Sequence, residues 1–152
     1  MGAKGHFRRR SVAAPRFAGS AVPPRRGATV PLNVSAILWV MHSIENPALR
    51  KLLTEYRERL VAKFGVRLLE LTLFGSYARG TARQDSDVDV AVVLDRVDSH
   101  AERTFPMELA GDLTIRHGLA IAPLVLSKQE LEFLHSREEL IAENLAREGI
   151  AV

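Results

Sequence analysis

Two carboxylates spaced two residues apart, Asp87 and Asp89, open a valine-rich run that reads as a strand from Ser86 to Leu94. Residues two apart on a strand project to the same side. Both acids therefore share a face with Ala91 and Val93, while Val88, Val90, Val92 and Leu94 line the opposite, core-facing side. Holding two like charges together at the start of an otherwise apolar strand is costly without a counter-cation. A hard divalent ion such as Mg²⁺ relieves that repulsion and prefers oxygen ligands.

Ten residues upstream lies a second feature, Phe74-Gly-Ser-Tyr-Ala-Arg-Gly80. Gly75, at the end of an apolar strand, lets backbone approach a ligand closely. Ser76 adds a hydroxyl at the start of a short helix, where exposed N–H groups attract phosphate oxygens. Arg79 lies one turn further on as a candidate phosphate partner, and Gly80 ends the turn. An isolated Asp-x-Asp is usually a solvated strand end, and an isolated Gly-Ser means little. A Gly-Ser ending one strand, ten residues, then Asp-x-Asp opening the next is a motif in context. A phosphate cradle beside a paired-carboxylate metal site is suited to moving phosphoryl-linked groups.

The elements that must position these residues are legible around them. Asn46 is a good N-cap and Pro47 a good first helical residue. Leu49, Leu52, Leu53, Tyr56, Leu60, Val61 and Phe64 recur at helical spacing, and Gly65 offers a stop. A strand is predicted from Val66 to Phe74, with Leu69, Leu71 and Leu73 on one face and Leu68 and Phe74 on the other, an interior pattern. A helix from Ser99 to His117 turns Phe105, Leu109 and Leu113 inward and closes at Gly118. Leu119 to Leu126 is the third strand, and Pro123 assigns it to an edge or a bulge. Ser127 with Glu130, and Ser136 with Glu139, read as capping boxes opening two short helices. Their core contacts are predicted to be Leu131, Leu134, Leu140, Ile141 and Leu145, with Gly149 ending the last. The fold class is thus α/β (α+β): a small mixed sheet covered by helices.

The 152 residues allow one ordinary domain. There is no cysteine, which excludes disulfides, thiolate metal sites and a cysteine nucleophile. The apolar stretch Val34 to Met41, broken by Ser35, is far short of the roughly 20 residues of a membrane helix. A cytoplasmic protein with no membrane partner is expected. Charge is distributed unevenly. Seven of the 21 Lys and Arg residues, and none of the 18 Asp and Glu, precede Met41, leaving 14 basic against 18 acidic residues beyond it. Nucleic-acid binding would have to use this tail. Residues 1–40 hold four of seven prolines and four of ten glycines, and are expected to be disordered. Their Arg-rich, acid-free composition suits a transit peptide but lacks its amphipathic period. A secretory signal fits less well, because the basic cluster lies far upstream of Ala36 to Met41. The abrupt change of composition favours Met41 as the initiator, with the first forty residues read from upstream sequence and a domain over 41–152.

Gly75-Ser76, ten residues, then Asp87-Val88-Asp89 resembles the signature of the DNA polymerase β-type nucleotidyltransferases. The fuller Leu73-Phe-Gly-Ser-Tyr-Ala-Arg-Gly80, with Ser86 before the first acid, is similar to the minimal nucleotidyltransferases, as is the closing Arg147-Glu148-Gly149-Ile150. The resemblance covers roughly Pro47 to Ile150. It implies a polymerase β-like fold, with Asp87, Asp89 and Ser76 as catalytic residues and the two acids binding Mg²⁺. It also implies that Gly75 and Ser76, with Arg79 assisting, hold a nucleoside triphosphate such as ATP. The implied reaction moves a nucleoside monophosphate to a hydroxyl and releases pyrophosphate. Minimal members are often antitoxins paired with a HEPN-type toxin. One departure stands out: the family pattern has a third carboxylate on a neighbouring strand, where this chain carries Ala120 and Ala122. A positioned base is typically worth about 10²–10⁴ in rate, so a binding-only antitoxin is the alternative reading. His100, His117 and His135 form no ligand-spaced set and read as surface residues. Tyr56 reads as packing, and Tyr77 either as a base-stacking ring or as a helix-start contact.

Overall fold

The computed structural model describes residues 46–152. The expectations for the basic tail, for Met41 and for Trp39 lie outside the described residues. The first helix, α1 (Pro47–Phe64), begins where Asn46 Oδ1 accepts from the backbone N–H groups of Ala48 and Leu49 at 3.0 and 3.2 Å. Its apolar stripe is buried throughout except Val61, which sits at the stripe's edge and stays 37% exposed. Gly65 ends α1, and a 3₁₀ turn (Gly65–Arg67) leads into β1 (Leu68–Leu73). Val66, expected in this strand, belongs to that turn and is exposed.

The inward residues of β1 are Leu68, Leu71 and Leu73, a set that strict alternation does not yield. Leu68 pairs with Leu94 and Glu70 with Val93, so Leu69 is one residue too many on this side of the ladder. The bulge resets the alternation and turns Leu68 to the core instead of Leu69.

A short helix, α2 (Gly75–Arg79), and a loop then lead to β2 (Val88–Leu94), antiparallel to β1. The crossover helix α3 (His100–His117) returns the chain to β3 (Ile121–Ser127), parallel to β2. The sheet order is β3-β2-β1-β4, which puts Pro123 on an edge strand as its missing N–H requires. The other edge, β4 (Ile150–Ala151), pairs with Thr72 and Leu73; two residues carry too little pattern to be read as a strand beforehand.

The core lies between one face of the sheet and helices α1 and α3. Phe64 meets Phe105 edge-on at 5.8 Å, and the buried Tyr56 hydroxyl donates to Pro106 O at 3.0 Å. On the opposite face α4 (Lys128–Ser136) packs on β2 and β3, burying Ala91 and Val93. Ser127 and Glu130 form the expected capping box. The second box does not form. Ser136 is the last residue of α4 and its hydroxyl donates to Phe133 O, while Glu138 turns the chain at φ 53°. The next helix, α5 (Leu140–Glu148), starts at Glu139 without a side-chain cap. Leu140 therefore sits at the helix mouth, 75% exposed rather than in the core, and Ala142 is the fully buried residue of α5. The outcome is a mixed α+β domain with five α-helices and a four-stranded mixed sheet among the described residues.

Candidate nucleotide site

The β1–β2 ladder continues one step past Leu73 and Val90, where Phe74 N donates to Asp89 O at 3.0 Å. The chain therefore leaves the sheet at Gly75, directly beside Asp89. Gly75 has φ +71°, and a Cβ built there would overlap the Asp89 carboxylate. Only glycine lets the two approach this closely. The loop beyond is held by Gly80, in the left-handed region, donating to Ser76 and Tyr77 carbonyls, and by Thr81 N donating to Ser76 O at 2.9 Å. The Ser76 hydroxyl makes no hydrogen bond among the described residues. With five residues, α2 has a small dipole, so any pull on phosphate comes mostly from local N–H groups.

A tight turn delivers the second acid. Arg83 N donates to Ser86 Oγ at 2.8 Å, and Ser86 N donates to Arg83 O at 3.1 Å. Ser86 thus closes a turn, and β2 starts at Val88 rather than at Ser86 as expected. Val88 N donates to Ala120 O at 2.7 Å. Asp87 is exposed at the strand's mouth and Asp89 is half-buried. Partial burial, and then the charge of Asp87, raise the Asp89 carboxyl above its ordinary value, and the nearby Arg79 charge opposes this. The two acids are thus close enough to feel each other, and a cation between them would reverse the penalty.

The donor set fits one Mg²⁺. That ion is commonly held by one or two carboxylates, with phosphate oxygens and water completing its shell. A cage made of protein alone is not available: among the described residues no group of three or more His, Cys, Asp or Glu side chains could hold a metal. The register shows why. Asp89 lies beside Ala122 on β3, with both side chains on the same face of the sheet, and a methyl stands where a third acid would reach the site.

Arg79, the candidate phosphate partner, is already engaged in an ion pair. Its Nη1 donates to both carboxylate oxygens of Glu148, at 3.2 and 3.1 Å, on the last residue of α5. Glu148 borders the site, and nothing in the closing Arg147-Glu148-Gly149-Ile150 by itself signals its contact with Arg79. A Cβ on Gly149 would overlap Leu145 O and Thr72 Cγ2, which explains the glycine there.

The other candidates lie elsewhere. Tyr77 packs against the core as a helix-start contact. His117, expected at the surface, has a side chain only 11% exposed, and its Nε2 lies 2.9 Å from Glu55, joining α1 to the end of α3. His100 and His135 are exposed, as expected.

Fold and site together define a class: an α+β domain in which an interior strand, entered through Asp87, sets the Asp89 carboxylate against a Gly-Ser turn. The chain belongs to the nucleotidyltransferase domain family, an enzyme family whose profile matches residues 49–145. Over 93 residues it is 32% identical to a Methanocaldococcus jannaschii protein named "Putative protein adenylyltransferase MJ1305", covering 58% of this chain and 61% of that one. Over 51 residues it is 43% identical to the protein adenylyltransferase MntA of Thermococcus cleftensis, covering 34% and 50%. The chain thus spans half to three-fifths of the length of these two curated relatives. In the crystal structure of a toxin-antitoxin with AMP-PNP, one chain is 23% identical at a TM-score of 0.45, over 64% of this chain and 69% of that one.

Proposed function

We propose that this chain is a Mg²⁺-dependent nucleotidyltransferase that moves AMP from ATP to a hydroxyl of a partner protein, as the antitoxin of a HEPN-type toxin–antitoxin pair. The observation that carries the reading is the Asp89 carboxylate held against the backbone of Gly75, with the charge of Asp87 felt at Asp89. Family membership and relatives named protein adenylyltransferases support it. Asp87 and Asp89 would hold the metal, and Gly75 and the Ser76 hydroxyl would take the phosphates, with Arg79 adding charge. Bound Mg²⁺ supplies Lewis-acid neutralisation of the phosphate charge. In the reaction the acceptor oxygen bonds to the α-phosphorus, the bond from that phosphorus to the α,β-bridging oxygen breaks, and pyrophosphate leaves. The acceptor's proton passes to water, because Ala122 offers no carboxylate to receive it. The domain is taken to run over 41–152 with residues 1–40 as a basic tail. Among the described residues no helix is long and apolar enough to cross a membrane, in keeping with work in the cytoplasm.

The test is to incubate the chain with a HEPN-type partner, ATP and Mg²⁺, and to measure the partner's intact mass. The proposal expects an added AMP that disappears in an Asp87→Ala Asp89→Ala double variant. The methyl of Ala122 beside Asp89 favours a second reading, an antitoxin that neutralises by binding alone. That reading wins if no adduct forms and the double variant still neutralises the partner.

A further inference from the structure

We infer that Glu148 is a positioning residue, which grips Arg79 from behind and presents the rest of its guanidinium to a nucleoside triphosphate. This rests on the nucleotide-site reading above and deepens it. A guanidinium carries five N–H donors in a fixed fork. Arg79 Nη1 faces both carboxylate oxygens of Glu148, and the three donors on Nη2 and Nε make no hydrogen bond among the described residues. The exposures divide in the same sense. The Glu148 side chain is 13% exposed and that of Arg79 is 48%, so the pair is anchored on its inner side and open on its outer side.

The anchor is fixed relative to the site. One residue after Glu148, Gly149 closes tightly on Thr72, and Ile150 and Ala151 then pair with Leu73 and Thr72. Those strand residues lead through Phe74 into the Gly75-Ser76 turn. Glu148 and the turn are therefore tied to the same few residues of β1, and α2 spans the gap between them. Arg79 is also near enough to Asp89 for its charge to be felt there. A guanidinium held by a carboxylate on one edge has less rotamer freedom to lose when its other edge meets phosphate oxygens. The acidic partner thus serves orientation, at the cost of cancelling part of the positive charge.

The experiment is a double-mutant cycle read by calorimetric titration of the full chain with MgATP and, separately, with AMP. Arg79→Ala and Glu148→Ala should each weaken MgATP binding by about tenfold, the scale of one charge-assisted contact. The double variant should be no weaker than either single one. AMP, which lacks the β- and γ-phosphates, should bind all forms within about twofold. Glu148→Gln keeps an acceptor for Nη1 and should restore most of the affinity, which also guards against a misfolded alanine variant. If Glu148→Ala tightens MgATP binding, Glu148 is a competitor for Arg79 and the inference is overturned. The same holds if the two losses multiply, since Glu148 then acts independently of Arg79. Failure of the unaltered chain to bind MgATP removes the site reading itself, a result distinct from either of these, and the inference falls with it.

Discussion

Gly75→Ala offers a sharp perturbation, because a single methyl meets two separable obstacles. At φ +71° an L-residue pays the left-handed backbone penalty, about 1–2 kcal/mol. The same methyl overlaps the Asp89 carboxylate, and forcing atoms into filled space costs about 1–3 kcal/mol more. A loss of about 2–5 kcal/mol is within reach of an ordinary domain's stability of about 5–15 kcal/mol. Gly118→Ala is the matched control. Its φ is +69° at the end of α3, with nothing within 4 Å of the added carbon, so it bears only the backbone penalty. Urea unfolding should show both variants destabilised, Gly75→Ala the more. Calorimetry with MgATP, on samples confirmed folded, should show Gly118→Ala within about twofold of the parent and Gly75→Ala weaker by at least about tenfold, since Asp89 must move. A Gly75→Ala protein that binds MgATP as the parent does would refute the close packing of turn and carboxylate as the basis of the site.

Three further expectations follow from the same geometry. Tyr56→Phe removes the hydroxyl that bonds the Pro106 carbonyl, which keeps its helical partner, and should cost about 0.5–1.5 kcal/mol in urea unfolding, with MgATP affinity unchanged. The Arg67–Glu102 pair, joined at 2.7 and 2.8 Å, holds the Glu102 carboxyl at about 2, below the ordinary 4.5. Its contribution is therefore complete above the ordinary value and is lost as pH falls from there toward 2. Unfolding midpoints measured across this window should drop less steeply in Glu102→Gln than in the parent. Ala122→Asp puts a carboxylate next to Asp89 and should raise the rate of AMP transfer, by up to the roughly 10²–10⁴ that a positioned base supplies; an unchanged or lower rate in the mass assay counts against the missing acid as the limiting feature.

Elements with strong local chemistry were readable from the chain alone. Asn46-Pro47 and the Leu49-to-Phe64 stripe located α1, the Ser127–Glu130 box located α4, and the valines of β2 separated a core face from the face bearing Asp89. What escaped depends on partners distant in sequence. The bulge at Leu69 exists only relative to β2, and β4 is a strand only because β1 offers it an edge. Ser136 and Glu139 had the right spacing for a cap, but the chain turns at Glu138 before a helix can start there. The site divides in the same way. The approach of Gly75 to Asp89 was legible because the spacing fits two adjacent strands. The Arg79–Glu148 contact joins positions 69 residues apart, and nothing local to either end foretells it.

The most direct test of a carboxylate pair gripping a magnesium nucleotide is calorimetric titration of the chain with ATP, in the presence and in the absence of Mg²⁺. The same titrations are then repeated on Asp87→Asn and Asp89→Asn. Saturable binding that requires the metal, and that either substitution abolishes or weakens by about tenfold or more, is the expected result. Equal ATP uptake without magnesium, or in the asparagine variants, would contradict the account.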